Sequence, residues 1–285
     1  MTASTDDAAD FEPHRSFLAG LAYRMLGSVA EAEDIVQDAF LRWREVDRAA
    51  IDEPRAYLAR VVSRLCLDRM KSASHRREHY VGMWLPEPVI AEPAQEIADD
   101  LSVALLLALE RLSPLERAAF LLHDVFDMDY AAVGETIERS ELACRQLAAR
   151  AREHVRDGRS RYQANEDDAR KVADAFVSAA MTGDVGGLAR VLADDAVLYA
   201  DGGGKRRAAL NPIVGKDRIL RFYQGIKARE GEFAGWRTEP TTLNGLPGFV
   251  FHSSQGTETL AFEVATGQIV AIYAVRNPDK VRHLS

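Results

Sequence analysis

The chain has 285 residues, 47% of them hydrophobic and 28% charged, with a formal net charge of −8. That length fits two or three domains, and the composition is ordinary for a globular protein. The acidic total argues against a simple nucleic-acid binder, the acidic opening MTASTDDAADFEP lacks the basic and apolar regions of a secretory signal, and the most apolar run, LSVALLLALERL, is too short to span a bilayer.

In chain order, Phe11 to Met25 reads as a helix with Phe17, Leu18, Leu21, Ala22 and Met25 on one face. Gly27-Ser28 breaks it, and Ser28 is placed to cap the next helix. That helix, Ala32–Val46, carries an apolar stripe of Ile35, Val36, Ala39, Phe40, Trp43 and Val46. Its other face groups Asp34, Gln37 and Arg42, a set able to meet one partner surface; by pattern alone, a solvated face reads equally well. Pro54 then opens a basic helix. Arg55–Arg77 holds 7 basic residues against 1 acid, a local charge of +6, and leaves Arg60, Arg64, Lys71, Arg76 and Arg77 for solvent or phosphate.

Residues 79–97 contain Gly82, Pro86, Pro88 and Pro93 and read as an extended linker. Within it stands WLPEP: Trp84, Leu85, Pro86, Glu87 and Pro88. Apolar groups in such a segment point to docking on a surface. From Glu78 to Glu138 the chain is strongly acidic, 13 acids against 2 bases, and Arg139–Arg159 is basic again, 6 against 3. Salt screens charges beyond about 10 Å, so a local basic patch can bind phosphate despite the acidic total.

Helices resume at 97–112. Ser113-Pro114-Leu115-Glu116 has the form of a capping box, and its helix runs to about Val125. Asp129 is placed to cap Tyr130–Ile137, and Ser140 to cap Glu141–Arg156. Two helices joined by a short turn make a helix-turn-helix candidate. On the second helix Cys144, Leu147, Ala148 and Ala151 face inward, while Glu141, Leu142, Arg145, Gln146, Ala149 and Arg152 share the outer face. Arg and Gln are the side chains that read guanine and adenine edges bidentately.

A polar hinge, 159–167, leads to a segment of different character. Helices are expected over Asp168–Thr182, Val185–Leu192 and Gly215–Arg229. Strands are expected over Ala196–Ala200, Gly248–His252, Thr259–Val264 and Gln268–Val275. Helices followed by a curled sheet describe an α+β cone with an interior pocket. Tyr199, Trp236, His252 and Tyr273 are candidate pocket residues, and Asp201 with His252 would be the acid–base pair of an enzyme reading. Cys66 and Cys144 lie far apart in helical patterns and read as buried free thiols, which fits a cytoplasmic protein. His75 and His79 stand four apart with no third ligand, so neither a metal nor a cofactor is expected.

These features together resemble a family. Residues 11–157 are similar to an extracytoplasmic-function (ECF) sigma factor of bacterial RNA polymerase. EDIVQDAFLRW resembles the polymerase-binding helix of sigma domain 2, the basic helix resembles the promoter −10 reader, and SPLERAAFLLHDVFDMDYAAVGETIERSELACRQLAARARE resembles sigma domain 4, which reads the −35 element. The tail resembles a SnoaL-like domain of the NTF2-like superfold. WLPEP, DGGGK (Asp201, Gly202, Gly203, Gly204, Lys205) and NPDK (Asn277, Pro278, Asp279, Lys280) sharpen this to ECF group 41, the sigma factors with a SnoaL-like extension. Two departures stand out: Val281 where Leu is common, and Glu138-Arg139 in place of a Gly-hydrophobic turn.

The resemblance implies two all-α sigma domains followed by an α+β cone. Domain 2 spans 8–78, the linker 79–97, domain 4 98–158, the hinge 159–167 and the SnoaL-like domain 168–285. It implies polymerase contacts, with the β and β′ subunits of core, through Asp34, Gln37, Phe40 and Arg42. It implies −10 contacts through Arg60, Arg64, Lys71, Arg76 and Arg77, and −35 contacts through Ser140, Glu141, Arg145, Gln146, Arg150 and Arg152. WLPEP, DGGGK and NPDK become regulatory contacts between segments. No catalytic residues are implied. The free chain is expected to be a monomer with no membrane partner, and the cone to offer a pocket for a small molecule. Other readings remain: a cyclase- or isomerase-like tail, and a stand-alone helix-turn-helix regulator, which would bind a palindromic duplex as a dimer without polymerase.

Overall fold

The structure is a computed structural model and describes residues 5–47, 50–77, 80–90, 102–158, 165–227 and 235–284, the side chains of 5–8, 72–77, 157–158 and 227 excepted. The chain divides into two compact units. One holds Met1–His79, Gln95–Ile97 and Ala104–Arg159; the other holds Tyr80–Ala94, Ala98–Val103 and Ser160–Ser285.

The first unit is all helical: α1 Thr5–Leu26, α2 Val29–Trp43, α3 Pro54–Arg77, α4 Val103–Glu110, α5 Pro114–Phe120, α6 Tyr130–Ile137 and α7 Glu141–Gly158. α1 starts earlier than its apolar stripe, with Pro13 inside it. α2 stops at Trp43, before Val46. The expected caps form. Ser28 Oγ accepts from the Glu31 amide at 3.2 Å, Ser113 and Glu116 close a capping box, and Asp129 accepts from Ala132 at 2.7 Å. Phe11, Leu18, Leu21, Met25, Ile35 and Trp43 are buried, as are Leu58, Val62 and Cys66 of α3. Cys144, Ala148, Ala151 and Val155 form the buried stripe of α7.

The turn between α6 and α7 rests on two backbone features. Glu138 adopts a left-handed conformation (φ 57°) without being glycine. A Cβ on Gly134 would stand 2.6 Å from the Arg139 carbonyl oxygen, so only glycine lets the turn close this tightly.

The second unit is the α+β cone. Helices α8 Glu166–Thr182, α9 Val185–Val191 and α10 Lys216–Lys227 accompany strands β1 Leu192–Asp201, β2 Ile213–Val214, β3 Arg237–Leu243, β4 Leu246–Ser253, β5 Gly256–Ala265 and β6 Gln268–Val275. The sheet order is β2-β1-β6-β5-β4-β3, with β1 and β6 parallel and the other pairs antiparallel. Phe176 of α8, Ile219 of α10 and Leu198, Phe262 and Ile272 of the sheet form the core. β3 has no counterpart among the expected strands. In its sequence, RTEPTTL, only Leu243 is buried, and it contains Pro240, which an edge strand tolerates.

Candidate functional site: a linker clasp and two helix faces

Asp201, the last residue of β1, is fully buried and is the centre of the site. A carboxylate offers about four lone-pair positions, and here each oxygen receives two donors. Oδ1 accepts from the Tyr80 hydroxyl at 2.5 Å and the Gly203 amide at 3.0 Å; Oδ2 accepts from the Leu85 amide and the Lys280 ammonium, at 2.9 and 2.8 Å. Its main-chain carbonyl takes the amides of Arg276 and Asn277, at 2.7 and 3.0 Å. One residue thus joins the linker, the glycine turn and the NPDK turn.

Lys280 is buried and satisfied in kind. Besides Asp201 it donates to the Leu85 carbonyl, and its ammonium lies 4.0 Å from the Trp84 ring centroid and 5.0 Å from that of Tyr80. Burial is costly for a lone charge, and cation–π contacts with a buried counter-ion offset that cost. Asn277 Nδ2 donates to the Tyr80 oxygen at 2.9 Å, while Lys205 pairs with Asp279 and Arg282 donates to Asp279 at 2.7 Å. Burial first, and then the hydrogen bond to Asp201, push the Tyr80 hydroxyl far above its ordinary pKa. The bond from Lys205 holds the Asp279 carboxyl below the usual range.

Two of the glycines are fixed by this packing. Gly203 (φ 58°) passes so close to Asn277 that a Cβ would fall 2.2 Å from Nδ2, and Gly204 (φ 70°) would bring a Cβ to 3.1 Å from Val81 of the linker. Leu85, Pro86, Glu87 and Pro88 are buried, whereas Pro278 is exposed. Beyond WLPEP the linker runs on along the β3–β4 turn. Val89 and Asn244 exchange hydrogen bonds at 2.8 and 3.1 Å, Ile90 bridges Leu243, and His283 Nε2 donates to the Pro88 carbonyl at 2.7 Å.

Tyr80, Asn244 and His283 are therefore part of the site although no motif marked them. For Asn244 a signal existed. Asn-Gly is a strong hairpin turn, both residues have positive φ (50° and 74°), and that turn also announces β3.

The cone interior holds a partly open cavity of about 80 Å³. Trp236 lines it; Tyr199, His252 and Tyr273 do not. The strand phase explains this correction. Side chains alternate between faces, and Leu198, Phe251 and Ala274 point inward, which sends their neighbours outward. Tyr199 and Tyr273 pair in register and stack on each other at 5.4 Å. His252 contacts Thr257 at 3.2 Å. With its carboxylate oxygens fully engaged and His252 facing outward, Asp201 does not form the acid–base pair considered from sequence.

In the helical unit Asp34, Gln37 and Arg42 are exposed on one face of α2, with Leu41 beside them, and Phe40 rests edge-on against Phe11 at 5.2 Å. The basic face of α3 is partly occupied. Arg60 pairs with Glu135 at 2.9 Å, and Arg64 donates to the carbonyls of Glu135 and Thr136 at 2.7 and 3.2 Å. Lys71 is exposed and pairs with Asp68, while the side chains of Arg76 and Arg77 lie outside the described residues. On α7, Arg145 pairs with Glu141 and lies 4.7 Å from the Tyr130 ring centroid; Gln146 is exposed, as are Glu141 and Ser140. Arg150 pairs with Glu116 at 3.0 Å. Arg152 binds Asp124 and the Tyr130 hydroxyl, both at 2.7 Å, so it braces α7 against the preceding segments rather than standing free for phosphate.

Among the described residues no cluster of three or more His, Cys, Asp or Glu is placed to hold a metal, and no helix is long and apolar enough to cross a membrane. The pair His75 and His79 lies outside the described side chains.

Two family models match the helical unit, Sigma-70 region 2 over residues 11–76 and Sigma-70 region 4 over residues 102–155. The chain is 38% identical to the ECF RNA polymerase sigma factor SigJ of Mycobacterium tuberculosis, covering 96% of this chain and 93% of that one. It is 36% identical to the probable ECF RNA polymerase sigma factor SigI of the same organism, over 74% of each chain. The crystal structure of M. tuberculosis SigJ superposes with a TM-score of 0.78 at 34% identity, covering 96% of this chain and 98% of that chain. The two SigJ matches span the helical unit, the linker and the cone together, and the chain belongs to the ECF RNA polymerase sigma factors.

Proposed function

We propose that the cone regulates the sigma domains of its own chain by holding the linker between them. The observation that carries this is the Asp201 carboxylate, which binds the linker through Tyr80 and Leu85 and the NPDK turn through Lys280. A clasped linker leaves little free chain between domain 2 (8–78) and domain 4 (98–158); a released one leaves more. Domain 2 meets the β′ side of core polymerase through Asp34, Gln37, Phe40 and Arg42. α3 meets the −10 element, and Ser140, Glu141, Arg145, Gln146 and Arg150 meet the −35 element. The acidic linker suits the basic RNA path of polymerase, and phosphate contacts from both basic segments add to the affinity that core supplies. The cavity of the cone takes a small molecule without turning it over.

The test is in vitro transcription with core polymerase, comparing full-length protein, a chain ending at Asn165, a chain lacking 277–285, and Asp201→Ala. The reading expects all of them to bind core and to differ in promoter output. Equal output from all four across several promoters rejects it.

A further inference from the structure

The cavity carries more chemistry than an empty packing defect. Its wall is mostly apolar, with the rings of Phe222, Tyr223, Trp236 and Phe251 among the lining groups. Its enclosed part, about 80 Å³, compares with the ~150 Å³ apolar cavity that takes up benzene; being partly open, this one leaves the far side of a seated ring at the mouth. Besides Thr259, two polar features interrupt the wall. Glu258 and Arg276 meet as a two-pronged ion pair, Nε to Oε2 at 2.8 Å and Nη2 to Oε1 at 2.9 Å, and Arg276 also donates to the Arg207 carbonyl at 2.6 Å. That pair is neutral overall. The other feature is the Tyr223 hydroxyl, which has no hydrogen-bond partner among the described residues. Burial raises its pKa, against a smaller lowering from Arg276, so it stays protonated and can donate. Tyr223 is half-buried, so its hydroxyl is open to water in the free cavity, and a molecule that covers it must replace that water's hydrogen bond.

We propose that this cavity binds a neutral aromatic molecule bearing one hydrogen-bond acceptor of the carbonyl kind, with the ring among the aromatic side chains and the acceptor on the Tyr223 hydroxyl. The charge balance selects a neutral molecule. An anion would gain from Arg276 but meet Glu258 as closely, and would lose its water in an apolar enclosure. A pure hydrocarbon would leave the hydroxyl unsatisfied, which makes the acceptor the discriminating group. This rests on reading the cavity as a ligand site and adds the class of ligand.

Three probes separate the classes by calorimetric titration into the full chain: acetophenone, its hydrocarbon isostere α-methylstyrene, and benzoate. Acetophenone is expected to bind at least fivefold more tightly than either of the others. Tyr223→Phe is expected to bring acetophenone down to the level of α-methylstyrene while leaving α-methylstyrene binding unchanged. Ala180→Phe, which fills the cavity from α8, is expected to abolish both. Melting curves check that each variant is folded. Equal binding of ketone and hydrocarbon, or an unchanged ketone affinity in Tyr223→Phe, overturns the proposed class while leaving a ligand site standing. Preferential binding of benzoate overturns it in favour of an anion. No binding of any probe removes the ligand-site reading itself. Because the titration needs neither polymerase nor the linker variants, it is independent of the clasp.

Discussion

Arg64 of α3 donates through Nη2 to the main-chain carbonyl of Glu135 at 2.7 Å, so a side chain expected on the promoter is bound to the first helix of the helix-turn-helix. Arg60 joins it through the Glu135 carboxylate. If α3 contacts the −10 element as proposed, Arg60 and Arg64 have to exchange these protein partners for phosphate. The pair is half exposed (36% and 67%), and such pairs contribute about 0.2–1 kcal/mol. Glu135→Ala is expected to leave the melting temperature nearly unchanged and to raise affinity for a −10 fork template. Arg64→Ala is expected to lower that affinity. The check is a fluorescence-anisotropy titration with core polymerase present, in which a fall in affinity for Glu135→Ala refutes the competition.

Asp201 and Lys280 are each buried with the other as counter-ion. Removing one partner of such a pair costs about 3–5 kcal/mol, whereas replacing both with apolar groups costs far less. Asp201→Ala is expected to expose the linker to protease, and the double change Asp201→Leu with Lys280→Met to restore part of the protection. Limited proteolysis followed by mass mapping of 80–90 reads this directly. Undiminished protection in the single variant contradicts a central role for Asp201.

The clasp is also expected to respond to pH at both ends. Asp279 has a lowered pKa through Lys205 and, less strongly, Arg282. Its contribution is complete above the unfolded value of about 3.9 and disappears as pH falls through the lowered folded value. Tyr80 has a raised pKa, so its contribution is complete below about pH 10 and lost as pH rises through the folded value. Linker protection measured against pH is expected to fall at both limits. Asp279→Asn flattens the acid limb and Tyr80→Phe the alkaline one; a variant that leaves its limb unchanged assigns that limb to another group.

On α7 the arginines divide by what holds them. Arg145→Ala is expected to cost ~1–3 kcal/mol and to relax preference at one −35 position, the mark of a base reader. Arg152→Ala removes the bonds to Asp124 and Tyr130 and is expected to lower the melting temperature more than it changes any preference. Binding to a panel of single-base −35 variants, alongside melting curves, distinguishes these outcomes. Equal weakening on every sequence for Arg145→Ala places it on phosphate.

Local rules carried most of what the sequence disclosed. Ser28, Ser113 and Asp129 cap because a hydroxyl or carboxylate satisfies amides two or three residues ahead, and that depends on no distant partner. WLPEP was visible as a segment needing a surface to dock on, and DGGGK as a motif of the family resemblance. Which neighbour was not visible, since Asp201 meets residues 116 and 79 positions away. The pocket residues were misplaced for a related reason. Tyr199 and Tyr273 look like pocket tyrosines until the register sets their phase, which puts them on the opposite face from Leu198 and Ala274. β3 was lost because an exposed edge strand with Pro240 has no apolar alternation, although Asn244-Gly245 after it marked the hairpin. Gly134 shows no sequence signal at all; its need for a missing side chain comes from the Arg139 carbonyl.

Lys280 meets Leu85 across 195 positions of chain. Synthesis runs at about 5–20 residues per second, so on the ribosome the linker appears roughly 10–40 s before the lysine that completes its clasp. Throughout that interval domain 2, the linker and then domain 4 exist on a nascent chain that still lacks the Lys280 contacts. On the proposed clasp, a newly translated molecule therefore passes through an interval without its restraint that a mature one has left behind.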